Sequence, residues 1–187
     1  LEAHLVSASG SAHNIPLGPG DRWLWSLPHH HIGGLAILVR AATSGAAVLV
    51  GDLTDATHAS MVPAQLQRIV KGGPPIGLKA LLLGGGPISP RLIDDALDAG
   101  WPIHSTWGTN ETASQVTTTE PGAYRKELAK AGRVLPGREV RARDGRLEVR
   151  GAILPSGLGE WFTTGDVGAM EDNLLTSHGR ADSMFIS

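Results

Sequence analysis

The stretch LKALLLGGGPISPRLIDDALDAGWPIHST, residues 78–106, decides the fold. Residues 78–83 form an apolar run of strand length, and Gly84-Gly85-Gly86 follows as a loop free of Cβ atoms. Ser89 is placed to cap a helix, and Pro90 takes the first helical position, where a missing N–H costs nothing. Leu92, Ile93, Ala96 and Leu97 recur at helical spacing, Gly100 ends the helix, and residues 103–106 read as a second strand. A strand–helix–strand unit of this kind returns right-handed and lays its two strands parallel.

The pattern extends upstream. Residues 23–27 read as a short strand, followed by Pro28-His29-His30-His31 and a helix over about 34–43 that Gly45 can terminate in the left-handed conformation. Residues 46–50 read as a buried strand, and Ser60 as the cap of a helix over 61–70. Repeated units imply a largely parallel sheet with flanking helices. Beyond about residue 120 the character changes. Residues 139–143 and 146–150 flank Asp144-Gly145, a two-residue hairpin signal, and residues 161–164, 167–170 and 174–177 read as further short strands. The expectation is an α/β part over 1–120 and a small antiparallel β subdomain over 121–187, packed on the first sheet.

The chain has 187 residues, enough for one sizeable core, and 41% of them are hydrophobic, too many for a disordered chain. Sixteen basic and eighteen acidic residues leave a net charge of −2, which gives no electrostatic footprint for nucleic acid or an anionic membrane. The absence of cysteine excludes disulfides and thiolate chemistry and fits a reducing cytoplasm. No apolar run has membrane-spanning length. The chain starts at Leu1 without an initiator methionine and ends just after the apolar run Met184-Phe185-Ile186, so it reads as an internal piece of a longer protein.

In open parallel sheets, ligands lodge outside the carboxyl ends of the strands. Two loops fall there. One is Gly84-Gly85-Gly86; the other is Trp107-Gly108-Thr109-Asn110-Glu111-Thr112. Glycines let a flat ligand approach the backbone, and Trp107 offers a π face. Thr109, Asn110 and Thr112 offer hydrogen bonds, and Glu111 is a hard oxygen ligand suited to Mg²⁺. The alternative is two tight turns and a solvated carboxylate. In Thr163-Thr164-Gly165-Asp166 the carboxylate suits a ribose diol, and the alternative is a hairpin-turn aspartate. Three consecutive histidines cannot converge on one metal ion, so His29, His30 and His31 read as polar lining at a strand end. Ser7-Ala8-Ser9-Gly10-Ser11 lacks the following lysine and the preceding strand of a phosphate loop and reads as a helix followed by a loop.

In this order the pieces resemble the adenylate-forming superfamily of acyl-CoA synthetases, luciferases and peptide-synthetase adenylation domains. The resemblance covers essentially the whole chain. Residues 27–35 are similar to the motif Leu-Pro-x-x-His-x-x-Gly with His31 as its histidine, and Leu83-Gly84-Gly85-Gly86-Pro87-Ile88 is similar to the segment lying against adenine. Residues 107–112 resemble Tyr-Gly-x-Thr-Glu, residues 161–166 resemble Trp-Phe-x-Thr-Gly-Asp, and Gly179-Arg180-Ala181-Asp182 resembles the hinge motif. Residues 36–41 and 113–118 are most similar to the o-succinylbenzoate–CoA ligase branch.

The resemblance implies an ATP-dependent carboxylate–CoA ligase of menaquinone biosynthesis, working through an acyl-adenylate. Its ligands would be a small-molecule carboxylate, ATP, Mg²⁺ and coenzyme A, with no nucleic acid and no membrane insertion; a homo-oligomer stays open. By this likeness Glu111 holds Mg²⁺, and His31, Asn110 and Glu111 serve catalysis. Gly84, Gly85, Gly86, Trp107, Gly108, Asn110, Asp166 and Arg180 bind the nucleotide. His31, Arg40, Ser114 and Gln115 border the carboxylate substrate, and Asp182 is the hinge pivot. For Arg40 the alternative is a surface helix cation. Asn110 stands where the family has threonine, Trp107 where it has tyrosine, and residues 152–160 form a shorter stretch than usual. The family's phosphate loop would lie upstream of Leu1 and its adenylating lysine beyond Ser187, so the piece alone is expected to be inactive. A fatty-acyl or aryl-CoA ligase, or a non-catalytic nucleotide-binding protein, are the alternatives.

Overall fold

The computed structural model describes residues 1–182, and the apolar run Met184-Phe185-Ile186 lies outside them. In chain order the elements are α1 (Glu2–Asn14), β1 (Arg22–Leu24), α2 (Ile32–Ser44), β2 (Ala47–Leu49), β3 (His58–Met61), α3 (Pro63–Ile69), β4 (Ala80–Leu83), α4 (Pro90–Asp98) and β5 (Ile103–Trp107). Then follow β6 (Thr117–Thr118), α5 (Arg125–Leu128), β7 (Gly132–Val134), β8 (Arg138–Arg143), β9 (Arg146–Gly151), β10 (Phe162–Glu171) and β11 (Leu174–Arg180). One eleven-stranded sheet runs in the order β2-β1-β3-β4-β5-β6-β7-β11-β10-β9-β8. From β2 to β5 all pairings are parallel, and from β5 to β8 all are antiparallel.

Strand β4 explains why the parallel half is stable. Side chains alternate across a strand. Leu81 and Leu83 join Leu92, Ile93 and Ala96 of α4 in one core, while Ala80 and Leu82 pack with Trp23 and Ile37 of α2 in another. Both faces are therefore covered, as parallel strands require. A third core lies under the antiparallel half, where Trp107 and Val116 meet Leu147, Val149, Ile153 and Leu175.

Local signals hold where they are strong. Ser89 Oγ accepts from the Leu92 N–H at 3.2 Å, and Gly45 caps α2 with φ 76°. Asp144 and Gly145 take φ 51° and 76°, the double left-handed turn that a tight hairpin needs. Residues 7–11 all lie within α1, so the helix read there holds and the loop begins only after Asn14.

Four expectations need correction. Ser60 caps no helix: it lies inside β3, a buried strand, and its Oγ accepts from Trp23 Nε1 at 3.2 Å. Helix α3 starts instead at Pro63, where Gln65 Oε1 accepts from the Val62 N–H at 2.9 Å. Strand β2 is a half-exposed edge rather than a buried strand. The separate strands read at 161–164 and 167–170 form one ten-residue strand, β10, whose register shifts around Gly165 and Asp166. That places Asp166 in a strand and removes the hairpin-turn alternative. Finally, the antiparallel half continues the sheet edge to edge through β5 and β6 instead of packing on it.

Two buried histidines tie this fold to pH. His58 stacks on Trp23 at 5.4 Å and sets Nε2 3.1 Å from the Pro16 carbonyl, and His104 Nδ1 lies 3.0 Å from the Thr119 carbonyl. Burial holds both below the ordinary histidine value of 6.5. The unfolded chain then binds more protons below that value, so stability is full above it and falls as pH drops. Urea unfolding should show a lower midpoint at about pH 5.5 than at about pH 7.5; an equal or higher midpoint at the acid pH would show that these histidines do not resist protonation.

Candidate functional site

Strands β4 and β5 pair in parallel with Leu83 opposite Ser105, so the chain leaves both at the same rim. They approach closely there. A Cβ on Gly84 would lie 2.7 Å from Thr106 Cγ2 and 2.9 Å from the Thr106 carbonyl oxygen. Gly85 adopts φ 75°, which L side chains seldom tolerate. Gly86 faces open space, with nothing within 4 Å of where its Cβ would stand. The first two glycines are thus needed by the fold, and the third is free to serve a ligand.

The second turn is fixed by its own backbone. The Thr109 N–H donates to Thr112 Oγ1 at 2.9 Å, Thr112 Oγ1 donates to the Thr109 carbonyl at 3.1 Å, and the Ser114 N–H donates to that carbonyl at 3.2 Å. Ala113 and Ser114 are held at φ 51° and 87°, a strained pair for non-glycine residues. The loop folds back so tightly that a Cβ on Gly108 would overlap the Ser114 carbonyl. The need for glycine at 108 is therefore met inside the loop. Asn110 and Glu111 remain exposed at its crest.

Asp166 reaches this rim from β10. Trp107 Nε1 donates to Asp166 Oδ2 at 2.7 Å. Four steps of the sheet order separate β5 from β10, roughly 19 Å if the sheet were flat. An indole and a carboxylate cannot span that, so the antiparallel half must curl. Trp107 is 9% exposed, and most of its ring is committed to the third core. Across from Asp166, Arg180 donates through Nε to Asp182 Oδ1 at 3.0 Å and through a terminal nitrogen to Oδ2 at 3.0 Å. Its pKa is raised, first by these hydrogen bonds and the Asp182 charge, then by the fields of Asp166 and Glu111. Glu111, Asp166 and Asp182 therefore each sit within electrostatic reach of Arg180.

A second group lies on the α2 side. Arg40 is buried, which excludes the surface-cation alternative. A terminal nitrogen donates to Gln115 Oε1 at 3.2 Å, the guanidinium carbon stands 5.3 Å from the Trp23 ring centre, and Nε has no hydrogen-bond partner among the described residues. Arg138, missed by the sequence reading, is buried beside it. It donates to the Pro136 carbonyl at 3.1 Å, the Val6 carbonyl at 3.3 Å and the Gln115 carbonyl. Burial lowers both pKa values to about 10, helped for Arg40 by the charge of Arg138. Among the described residues neither makes a salt bridge. A cavity of about 390 Å³ between α1 and α2 reaches Arg40 but no residue of the two turns. Ser114 is half-buried and Gln115 buried, next to one another on the returning loop.

His31 is exposed at the start of α2, which follows β1 and so lies at the carboxyl ends of the parallel strands. The helix starts there because Gly34 packs against Pro28, whose carbonyl carbon would lie 2.6 Å from a Cβ. The described residues contain no group of three His, Cys, Asp or Glu able to hold a metal. A single exposed carboxylate such as Glu111 is compatible with Mg²⁺, which commonly takes one or two carboxylates together with substrate phosphate oxygens.

The glycines separate fold from ligand contact. Gly84→Ala should cost about 1–3 kcal/mol in urea unfolding through overpacking against Thr106. Gly86→Ala should stay within about 0.5 kcal/mol yet weaken AMP binding about fivefold or more. Undiminished AMP binding by Gly86→Ala would remove the 84–86 turn from the ligand surface.

A family model described as AMP-binding enzyme matches residues 3–160. The 2-succinylbenzoate–CoA ligase of Escherichia coli is 36% identical, the match covering 100% of this chain and 45% of that protein. The corresponding ligase of a Geobacillus strain is 31% identical, covering 100% and 46%. Among solved structures, o-succinylbenzoate coenzyme A synthetase (MenE) from Bacillus subtilis, in complex with ATP and magnesium ion, matches with a TM-score of 0.90 at 27% identity, covering 100% of this chain and 47% of that one. Wild-type E. coli MenE with a bound m-phenylether-linked analogue of OSB-AMS matches with a TM-score of 0.85 at 35% identity, covering 97% and 44%. The chain spans about half the length of the curated relatives it matches.

Proposed function

The chain belongs to the AMP-binding enzyme family, and from that premise we propose that it carries the nucleotide rim and the acyl-binding residues of an ATP-dependent acid–thiol ligase acting on o-succinylbenzoate. The observation that carries this reading is the delivery of the 84–86 turn, the 107–112 turn and Asp166 to one rim. In the reaction of the whole protein, a carboxylate oxygen of the substrate attacks the α-phosphorus of ATP and pyrophosphate leaves. The thiol of coenzyme A then attacks the acyl carbonyl and AMP leaves.

Within this chain the work is positioning and charge compensation. The backbone at Gly86 admits the flat adenine, and Asp166 accepts the hydroxyl protons of the ribose. The Asn110 side-chain amide donates to an α-phosphate oxygen. Glu111 would hold Mg²⁺, whose charge offsets the phosphates when it is bound. His31, Ser114 and Gln115 border the reacting carboxylate. Arg40 supplies what a dianionic aryl substrate needs at its second carboxylate. A buried guanidinium without a counter-charge is costly, and an anionic ligand offsets that cost. This feature supports o-succinylbenzoate over a fatty acid, which would ask for an apolar lining.

Calorimetric titration tests both ends. Asp166→Ala should weaken AMP binding about tenfold, and unchanged binding would defeat the ribose assignment. Arg40→Gln should weaken binding of a non-hydrolysable o-succinylbenzoyl-adenylate analogue by about tenfold or more while sparing AMP. Equal loss for both ligands, or none for either, would favour a fatty-acyl or other aryl substrate.

A further inference from the structure

We infer that Trp107 is a positioning residue that acts through its indole N–H, holding Asp166 in the orientation that receives the ribose diol. This rests on the reading of Asp166 as the ribose ligand.

The argument starts from what fixes each partner. The Trp107 ring is nine-tenths buried among Val116, Leu147, Val149, Ile153 and Leu175, so the direction of its N–H is set by the core before any ligand arrives. That N–H meets Asp166 Oδ2 at 2.7 Å, a short charge-assisted hydrogen bond. The backbone of Asp166 is held separately, its N–H donating to Thr164 Oγ1 at 3.2 Å. Arg180, opposite in the sheet, donates to both carboxylate oxygens of Asp182, whereas the hydrogen bond that reaches the Asp166 carboxylate among the described residues comes from Trp107.

A carboxylate has about four lone-pair sites. Trp107 takes one, on Oδ2. No hydrogen bond among the described residues reaches Oδ1, which leaves acceptor positions on both oxygens for two neighbouring hydroxyl protons. A strand aspartate without the tether would divide its time among rotamers, and a ligand would have to select one of them. Holding it beforehand removes that ordering cost from binding. The same bond joins the end of β5 to the middle of β10, so one donor sets both the carboxylate and the distance between the two motif segments.

The test is discrimination rather than affinity alone. AMP and 2′,3′-dideoxy-AMP are titrated calorimetrically into the wild-type chain and into Trp107→Phe, which keeps an aromatic ring and lacks the donor. Wild type should prefer AMP about tenfold. Trp107→Phe should show a preference for AMP below about twofold, whatever its affinity for the dideoxy nucleotide. A retained tenfold preference overturns the inference, and so does an equal loss for both nucleotides, which would assign the residue's role to bulk or ring face. If wild type itself fails to distinguish the two nucleotides, the ribose reading of Asp166 falls, and the inference with it. Should Trp107→Phe not fold, the wild-type indole resonance of Trp107 decides. It should shift on adding AMP and stay in place on adding the dideoxy nucleotide; a reversed or identical response overturns the inference.

Discussion

The parallel pairing of β4 with β5 governs everything at the rim. Leu81, Leu82 and Leu83 stand opposite Ile103, His104 and Ser105, and the contact tightens at its end, where Gly84 meets Thr106. Burial of a leucine stabilises a fold by roughly 1.5–3 kcal/mol, and β4 buries one leucine on one face and two on the other. A slip by one residue would exchange those faces, so the register is strongly specified. The two turns inherit that precision. Ligand-binding groups on rigid element ends hold their geometry better than groups on free loops.

Charge is distributed across the site in two halves. Acidic groups, Glu111, Asp166 and Asp182, gather around Arg180 on the side of the 107–112 turn. Two buried guanidiniums, Arg40 and Arg138, hold the other side without a carboxylate between them. They grip the same residue differently, Arg40 by the Gln115 side chain and Arg138 by its carbonyl. Carbonyl oxygens satisfy Arg138, whereas the Nε of Arg40 has no partner among the described residues. A buried cation of the first kind is part of the architecture, and one of the second kind carries a desolvation cost that the fold does not offset.

What the sequence disclosed was the chemistry with short reach. The Ser89 cap, the Gly45 terminus, the Asp144-Gly145 turn and the order of the two rim loops all depend on residues a few positions apart. What it withheld depends on distant partners. Ser60 looks like a cap by residue type, but its hydroxyl is claimed by Trp23, thirty-seven positions away. Gly165-Asp166 looks like a turn, yet pairing with β9 and β11 carries the strand through it as a bulge. Arg138 opens a charged hairpin, and its guanidinium is covered by α1, lying against Gly10 and donating to the Val6 carbonyl. Trp107 was legible as an aromatic at the rim; that its N–H would find Asp166 required the curl of the sheet.

Photolabelling with 8-azido-AMP tests the shared rim most directly, because the azide reacts with whatever lies against the base. Peptide mapping is expected to place the label within residues 83–115, with excess AMP abolishing it and Asp166→Ala reducing it. A label concentrated in the cavity between α1 and α2, or spread without competition by AMP, would contradict the placement of the nucleotide at the ends of β4 and β5.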